Sequence, residues 1–167
     1  FLWYGKQTDR NIKMDKITFY NCARERIMIY FSELEKYGFH LEIEMPPEIG
    51  DICESIDFIF GNHHISIEVH VTFYLSINKF NLLGALLLRI NNKLNSEWFN
   101  IEDYFTQYKG VDYKDVPFDD RIYDTDNIEQ QIDNYLKSVI NVLQTELLDV
   151  ITGKKWIHVP MDSYGAK

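Results

Sequence analysis

Three side chains with the capacity for chemistry lie in two neighbouring segments of alternating sequence. Asp57 belongs to Ile-Asp-Phe-Ile-Phe, and Glu68 and His70 belong to Ile-Ser-Ile-Glu-Val-His. Successive side chains of a β-strand point to opposite faces, so these three fall on the face opposite to their apolar neighbours. Two carboxylates and an imidazole on one face would bind a divalent cation or the basic side chain of a partner.

The segment that carries Glu68 and His70 is the most regular in the chain. From Ile65 to Ile77 every odd position holds a large apolar residue, and the even positions hold Ser, Glu, His, Thr, Tyr and Ser. This alternation predicts a long β-strand with one dry face and one polar face. The preceding segment alternates in the same way up to Phe60, and the turn residues 61–64 follow. We therefore expect a β-hairpin.

The turn of this hairpin predicts which residues face each other. With Asn62 and His63 at the tip, the apolar residues of both strands share the dry face. The same register places Asp57 directly opposite Glu68. Like charges that face each other across strands are unfavourable, so this pair requires solvent, a cation or a partner's basic side chain to compensate it.

Acidic residues dominate the same part of the chain. The net charge is −9, and no Lys or Arg occurs between Tyr37 and Asn78, where seven Asp and Glu residues lie. Alternation places several of them away from the core, where they would form an acidic docking surface for a basic protein partner. A solvated sheet face is the simpler alternative. The predicted partner-binding residues are Glu42, Glu44, Asp57, Glu68 and His70.

Length and composition limit the class of protein. The 167 residues predict one domain, 1–167, with residues 1–17 and 154–167 as peripheral segments. The acidity disfavours binding to nucleic acid or to anionic membranes, because phosphates would be repelled. Cys22 and Cys53 have no metal-binding or redox spacing, which suits free thiols in a reducing cytoplasm, with a single disulfide as the alternative. The motifs GxSxG and HExxH and a glycine-rich phosphate loop are absent, so no cofactor is predicted.

Further elements follow from the same patterns. Residues 39–45 alternate and predict a strand with its odd-numbered apolar residues inward, which Pro46 ends. Residues 82–91 predict a fourth strand, with a buried helix as the alternative. A short capped helix is expected to begin at Asn100. Residues 111–126 are acidic and irregular.

Two segments have the three- and four-residue spacing of an amphipathic helix. The first begins near Thr18 and is closed by Gly38, and the last extends from Ile128 to Gly153. The predicted fold class is therefore α+β. An antiparallel meander of about four strands would present its dry face to these two long helices.

The hairpin resembles the core of metal-dependent nucleases that carry the motif PD-(D/E)XK. In that family an Asp on one strand and a Glu-x-Lys on the next bind a divalent ion and orient a water. Asp57 matches the Asp, Glu68 matches the acidic residue, and His70 stands where the family has Lys. No proline precedes Asp57, and the neighbourhood lacks basic residues. The resemblance implies a nuclease with Asp57 and Glu68 as metal ligands and His70 as a further catalytic residue.

The order of elements resembles small bacterial immunity proteins of polymorphic toxin systems. The resemblance rests on residues 34–39, the hairpin at 57–71, residues 98–104 and the helix at 128–153. It implies a non-enzymatic protein that neutralises a basic toxin by binding it, which is the leading hypothesis. The nuclease is one alternative. A structural subunit that forms a homodimer through exposed aromatic residues such as Trp98 or Trp156 is another.

Overall fold

The computed structural model describes residues 17, 19–48, 53–74, 82–123 and 128–161. Over these ranges the protein is an α+β protein whose helices pack against an antiparallel sheet of six strands. The strands are β1 (His40–Glu48), β2 (Cys53–Gly61), β3 (Ile65–Tyr74), β4 (Leu82–Asn92), β5 (Trp98–Asn100) and β6 (Arg121–Tyr123). Their order in the sheet is β1-β2-β3-β4-β5, and β6 also pairs with β4. The predicted antiparallel meander is confirmed, and its fourth segment is a strand.

The two short strands extend the predicted meander. Strand β5 pairs with residues 89–91 of β4, and β6 pairs with residues 82–85, so the two lie end to end along the same partner. Each has three residues, which is too short for an alternating pattern to be recognised in the sequence. Strand β6 lies within the acidic segment 111–126, which was predicted to be irregular throughout.

The two long helical segments are confirmed in position but not in extent. Helix α1 (residues 19–31) continues as a 3₁₀ turn at Ser32–Tyr37, and Gly38 closes it with the left-handed φ of 84° that glycine favours. The segment predicted as one final helix consists of α3 (Ile128–Thr145) and α4 (Leu148–Ile151). None of the helices in the described ranges is long and apolar enough to cross a bilayer.

The break between α3 and α4 could not be seen in the periodicity. Leu147 has φ −107° and ψ 14°, outside the helical range, yet its side chain is buried like that of Ile151. The apolar pattern therefore continues through the break, because both sides of it face the same core. Gly153, with φ 73°, ends the segment where the sequence predicted its end.

The short helix after β5 is also built differently from the prediction. Helix α2 (Ile101–Asp103) is a single turn that passes into a π-helical turn at Tyr104–Tyr108. Asn100 occupies the position before it, but its side chain makes no capping hydrogen bond. Its backbone pairs with β4 instead, so the residue belongs to the sheet.

The core lies between the helices and the dry face of the sheet. Side chains of β2, β3 and β4 alternate between buried and partly exposed, and Phe58, Val69 and Leu88 are fully buried. Phe31 of α1 stacks on Phe60 of β2 with 4.3 Å between ring centroids. Each such side chain contributes about 1.5–3 kcal/mol by leaving water. The long strand predicted from residue 65 is confirmed to residue 74, and residues 75–77 lie outside the described ranges.

Strand β1 departs from the predicted alternation. Leu41 is partly buried, but Ile43 and Met45 are 47% and 42% exposed, although all were expected to point inward. The register between β1 and β2 shifts between Leu41 and Ile43, so Glu42 is the extra residue of a β-bulge. The bulge reverses the faces of the residues that follow it. The strand continues past Pro46 because it is an edge strand in the described sheet, where a missing N–H is tolerated.

The register of the hairpin differs from the predicted one by two residues. The tip is formed by His63 and His64, since the backbone N–H of Asn62 donates to the carbonyl of Ile65 at 3.0 Å. Asn62 is 9% exposed, and its Oδ1 accepts from the N–H groups of His64 and Ile65 at 2.9 Å each. A shift of two residues keeps every side chain on its face, so the dry face is as predicted. The facing pairs are not: Asp57 faces His70 rather than Glu68.

The same asparagine ties the hairpin to two helical segments. Its Nδ2 donates to the carbonyl of Ile151 in α4 at 2.8 Å and to the carbonyl of Tyr37 at 3.2 Å. We expect Asn62→Ala to lower the free energy of unfolding by about 2–4 kcal/mol, because buried backbone donors and acceptors lose their partners. Urea denaturation measures this change.

Asn91→Ala is the matched control. The Asn91 side chain makes a single hydrogen bond of 3.4 Å to the carbonyl of Ser66, and it is partly exposed. This variant should lose less than about 1 kcal/mol. Equal losses in the two variants would show that Asn62 does not hold the register.

Candidate functional site

One face of the sheet is covered by helices, and the described helices leave the other uncovered; we call the second the open face. Its described side chains on β2 to β5 are all at least partly exposed, whereas those between them in sequence are buried. The open face consists of Glu42, Ile43 and Met45 of β1, Ser55, Asp57 and Ile59 of β2, Ser66, Glu68, His70 and Thr72 of β3, Ala85, Leu87, Arg89 and Asn91 of β4, and Trp98 and Asn100 of β5.

A charged row crosses the centre of the open face. The Nδ1 atom of His70 lies 2.6 Å from Oδ1 of Asp57, and its Nε2 atom lies 3.2 Å from Oε2 of Glu68. The three side chains are 22–25% exposed. A neutral imidazole carries one N–H and can donate to only one of these oxygens, so the doubly protonated ring satisfies both. The structure therefore brings the three predicted residues together, with the histidine between the carboxylates.

Arg89 and Trp98 complete this row, and the sequence did not predict that either residue belongs to it. Arg89 of β4 faces Glu68 across the ladder, with 3.6 Å between Nη1 and Oε2. Its guanidinium lies over the ring of Trp98, 4.1 Å from the centroid, which is a cation–π arrangement. Arg89 was missed because it lies outside the segment that lacks basic residues, and only strand pairing shows that it meets Glu68.

Glu42 and Glu44 of β1 are also paired within the chain. Glu42 Oε1 accepts from Lys93 Nζ at 2.5 Å. Glu44 lies opposite Phe58, on the helix-covered face, and accepts from Arg24 of α1 at 2.5 and 3.1 Å. The prediction that Glu44 lies on the polar face is therefore wrong, because the bulge turns it over. The segment without Lys or Arg is neutralised in part by basic residues from elsewhere in the chain.

The geometry of the row argues against the hypothesis that Asp57 and Glu68 bind one metal ion. Asp57 and Glu68 contact opposite nitrogens of His70, so an ion shared by both carboxylates would have to displace the imidazole. Among the residues that the structure describes, no group of three or more His, Cys, Asp and Glu could hold a metal ion. The arrangement is chemically suited to bind charged side chains of alternating sign.

A second acidic group lies beside β6. Burial raises the pKa of Glu102, and the neighbouring charge of Asp120 raises it further. Burial likewise raises the pKa of Asp120, to which Asp119 adds. The pKa of Tyr113 is raised by burial and then by Asp120 and Glu102. These groups therefore repel one another in a partly desolvated corner of the fold.

Comparison of the chain with known protein families, with curated proteins and with solved structures found no match. The function therefore has to be argued from the geometry of the open face and from the charges around it.

The raised carboxyl pKa values predict a specific dependence of stability on pH. A carboxyl whose pKa is higher in the folded state lowers stability at neutral pH, and this penalty disappears below its unfolded pKa. Glu102→Gln and Asp120→Asn should each raise the free energy of unfolding at pH 7 by less than about 1 kcal/mol, because both groups remain partly exposed. The gain should vanish near pH 3.5, below the ordinary carboxyl range of about 4.

Asp115→Asn serves as the control in denaturation curves recorded at both pH values. Asp115 is exposed in the same segment, so its neutralisation should leave stability within about 0.5 kcal/mol. A loss of stability in Glu102→Gln at pH 7 would contradict the repulsion that we infer.

Proposed function

We propose that this protein is a non-enzymatic binding protein whose open face docks a basic protein partner. The observation that carries the proposal is the centre of that face, where two partly exposed carboxylates, Asp57 and Glu68, share one imidazole. One imidazole lies between the two carboxylates, and Arg89 stands beyond hydrogen-bond distance of Glu68. A basic side chain of a partner that contacts the exposed oxygens of Asp57 and Glu68 would offset their charge.

The surroundings of the row support a protein rather than a small molecule as the partner. Apolar side chains flank it: Ile43 is 47% exposed, and Ile59, Leu87 and Trp98 are partly exposed. Interfaces combine such apolar side chains with a few oriented charges, and Trp and Arg are frequent among the residues that dominate binding energy. The net charge of −9 adds a long-range attraction toward a basic partner.

The proposal extends to the kind of partner. The resemblance to immunity proteins supports a toxin domain as the basic protein that is bound and neutralised. In that case a reading frame for a large toxin would lie next to this one in the native genome. Capture of that toxin by the purified chain, followed by loss of toxicity, would test the identity of the partner directly.

Charge reversal on the open face should weaken the complex without unfolding the protein. We expect Asp57→Lys and Glu68→Lys each to weaken binding to the captured partner about tenfold or more, roughly 1.4 kcal/mol, because a like charge then faces the partner's basic side chain. Isothermal titration calorimetry measures the affinity, and circular dichroism checks the fold.

Glu44→Lys is the matched control. It makes the same change of charge as the other two variants, but on the helix-covered face beside Arg24. It should reduce stability through the loss of that ion pair and leave affinity for the partner within about twofold. Equal losses of affinity in all three variants would point to net charge alone, and unchanged affinity in both open-face variants would overturn the proposal.

The nuclease hypothesis predicts that Asp57 and Glu68 support metal-dependent cleavage of nucleic acid, whereas the docking proposal predicts no cleavage. We expect the pure protein to leave plasmid DNA and RNA intact with Mg²⁺ or Mn²⁺, since His70 separates the two carboxylates and the lysine of the motif is absent. Agarose gels of the incubated substrates provide the measurement. Metal-dependent cleavage that disappears in Asp57→Asn would establish the nuclease instead.

A further inference from the structure

Arg89 differs from the other arginines in the part of the chain that the structure describes. Arg24 donates to Glu44, Arg121 donates to Asp119 at 2.9 Å, and Arg26 is in contact with Glu129. The nearest carboxylate oxygen to Arg89 is that of Glu68, at 3.6 Å, which is too long for a hydrogen bond. That same oxygen already lies 3.2 Å from His70.

One donor of Arg89 also lacks a partner within the described part of the chain. Its Nε atom is inaccessible to solvent and has no hydrogen-bond partner. Asn100, which faces Arg89 across the β4–β5 ladder, has an equally buried and unpartnered Oδ1 atom. The side chain as a whole is 30% exposed, so a ligand that offers acceptors would reach the outer nitrogens of this guanidinium rather than the buried Nε.

Trp98 holds the guanidinium in place. The central carbon of the guanidinium lies 4.1 Å from the centroid of the indole ring, and the side chain is 30% exposed, so the contact limits the positions that the group can take. A fixed, planar guanidinium presents its nitrogens as a fork that matches the two oxygens of a carboxylate. Because the side chain is ordered before binding, less conformational entropy is lost on association.

We propose that Arg89, stacked on Trp98, is the anchor for a carboxylate side chain of the protein partner. The inference rests on the proposed function and specifies the chemistry of the interface. The central row then alternates carboxylates with nitrogen-bearing groups, from Asp57 and His70 to Glu68 and Arg89. A basic partner that also places one Asp or Glu over Arg89 would be fixed in a single register, because a displaced partner would bring like charges together.

The test uses the full chain and a small probe in place of the partner. The arginine Nε–H and tryptophan indole N–H signals are followed by ¹⁵N NMR during titration with N-acetyl-Ala-Glu-Ala-amide. We expect the signals of Arg89 and Trp98 to shift along a saturable curve in the millimolar range, as suits one ion pair on a partly exposed surface. The signals of Arg24 should stay in place, because its donors are already bonded to Glu44.

Variants give the titration its specificity. Arg89→Lys should remove the response of Trp98, since lysine lacks the planar fork. Glu68→Gln should strengthen peptide binding roughly two- to fivefold, because it removes a like charge beside the bound carboxylate. The peptide with Gln in place of Glu should cause no shift, and thermal melts confirm that both variants fold.

The outcomes separate this inference from the proposed function. A flat titration at Arg89, or an equal response of Arg24, would overturn the carboxylate anchor and leave docking of a basic partner untouched. Conversely, Glu68→Gln is expected to weaken the basic partner while it strengthens the acidic peptide. Strengthening of both would refute the docking proposal and keep the anchor.

Discussion

The side chain of Asn62 joins three parts of the molecule at one buried point. Its oxygen accepts two backbone N–H groups of the β2–β3 hairpin, and its nitrogen donates to carbonyls of Tyr37 and Ile151. These bonds set the tip of the hairpin at His63 and His64 and attach it to both helical segments. Because a buried amide with four partners has no alternative arrangement of equal energy, the register of the sheet depends on it.

The charges of the open face follow from that register. With the tip at His63 and His64, Asp57 faces His70 instead of Glu68, and an unfavourable pair of carboxylates becomes a carboxylate and an imidazole. Glu68 then lies between His70 on its own strand and Arg89 on the next. His70 and Arg89 thus offset most of the repulsion between carboxylates that the sequence predicts. The result is a row in which carboxylates alternate with His70 and Arg89, and Arg89, at one end, has no carboxylate of the described residues within hydrogen-bond distance.

This distribution of charges on the open face bears on the docking of a partner that we propose. A uniformly acidic surface would attract any basic protein, whereas an alternating row flanked by apolar side chains discriminates among them. In the docking that we propose, the net charge of −9 would attract a basic partner at long range, and the short-range pattern would select it. The bulge in β1 contributes to the short-range pattern, because it exposes Ile43 on the open face and turns Glu44 toward α1.

The sequence by itself determined the elements that are long enough to show a periodic pattern of apolar residues. The dry face of β3 and the glycine that closes the first helical segment follow from local patterns, because side-chain alternation and left-handed φ values are properties of the local chain. The sequence left residues 82–91 open between strand and helix, since a continuous apolar run suits both. It also identified Asp57, Glu68 and His70 as neighbours on one face. Only the tertiary structure decided their pairing, because a register shift of two residues leaves every hydrophobic position unchanged. It likewise decided the place of Arg89 and Trp98, which reach the site through strand pairing between segments that are distant in the chain.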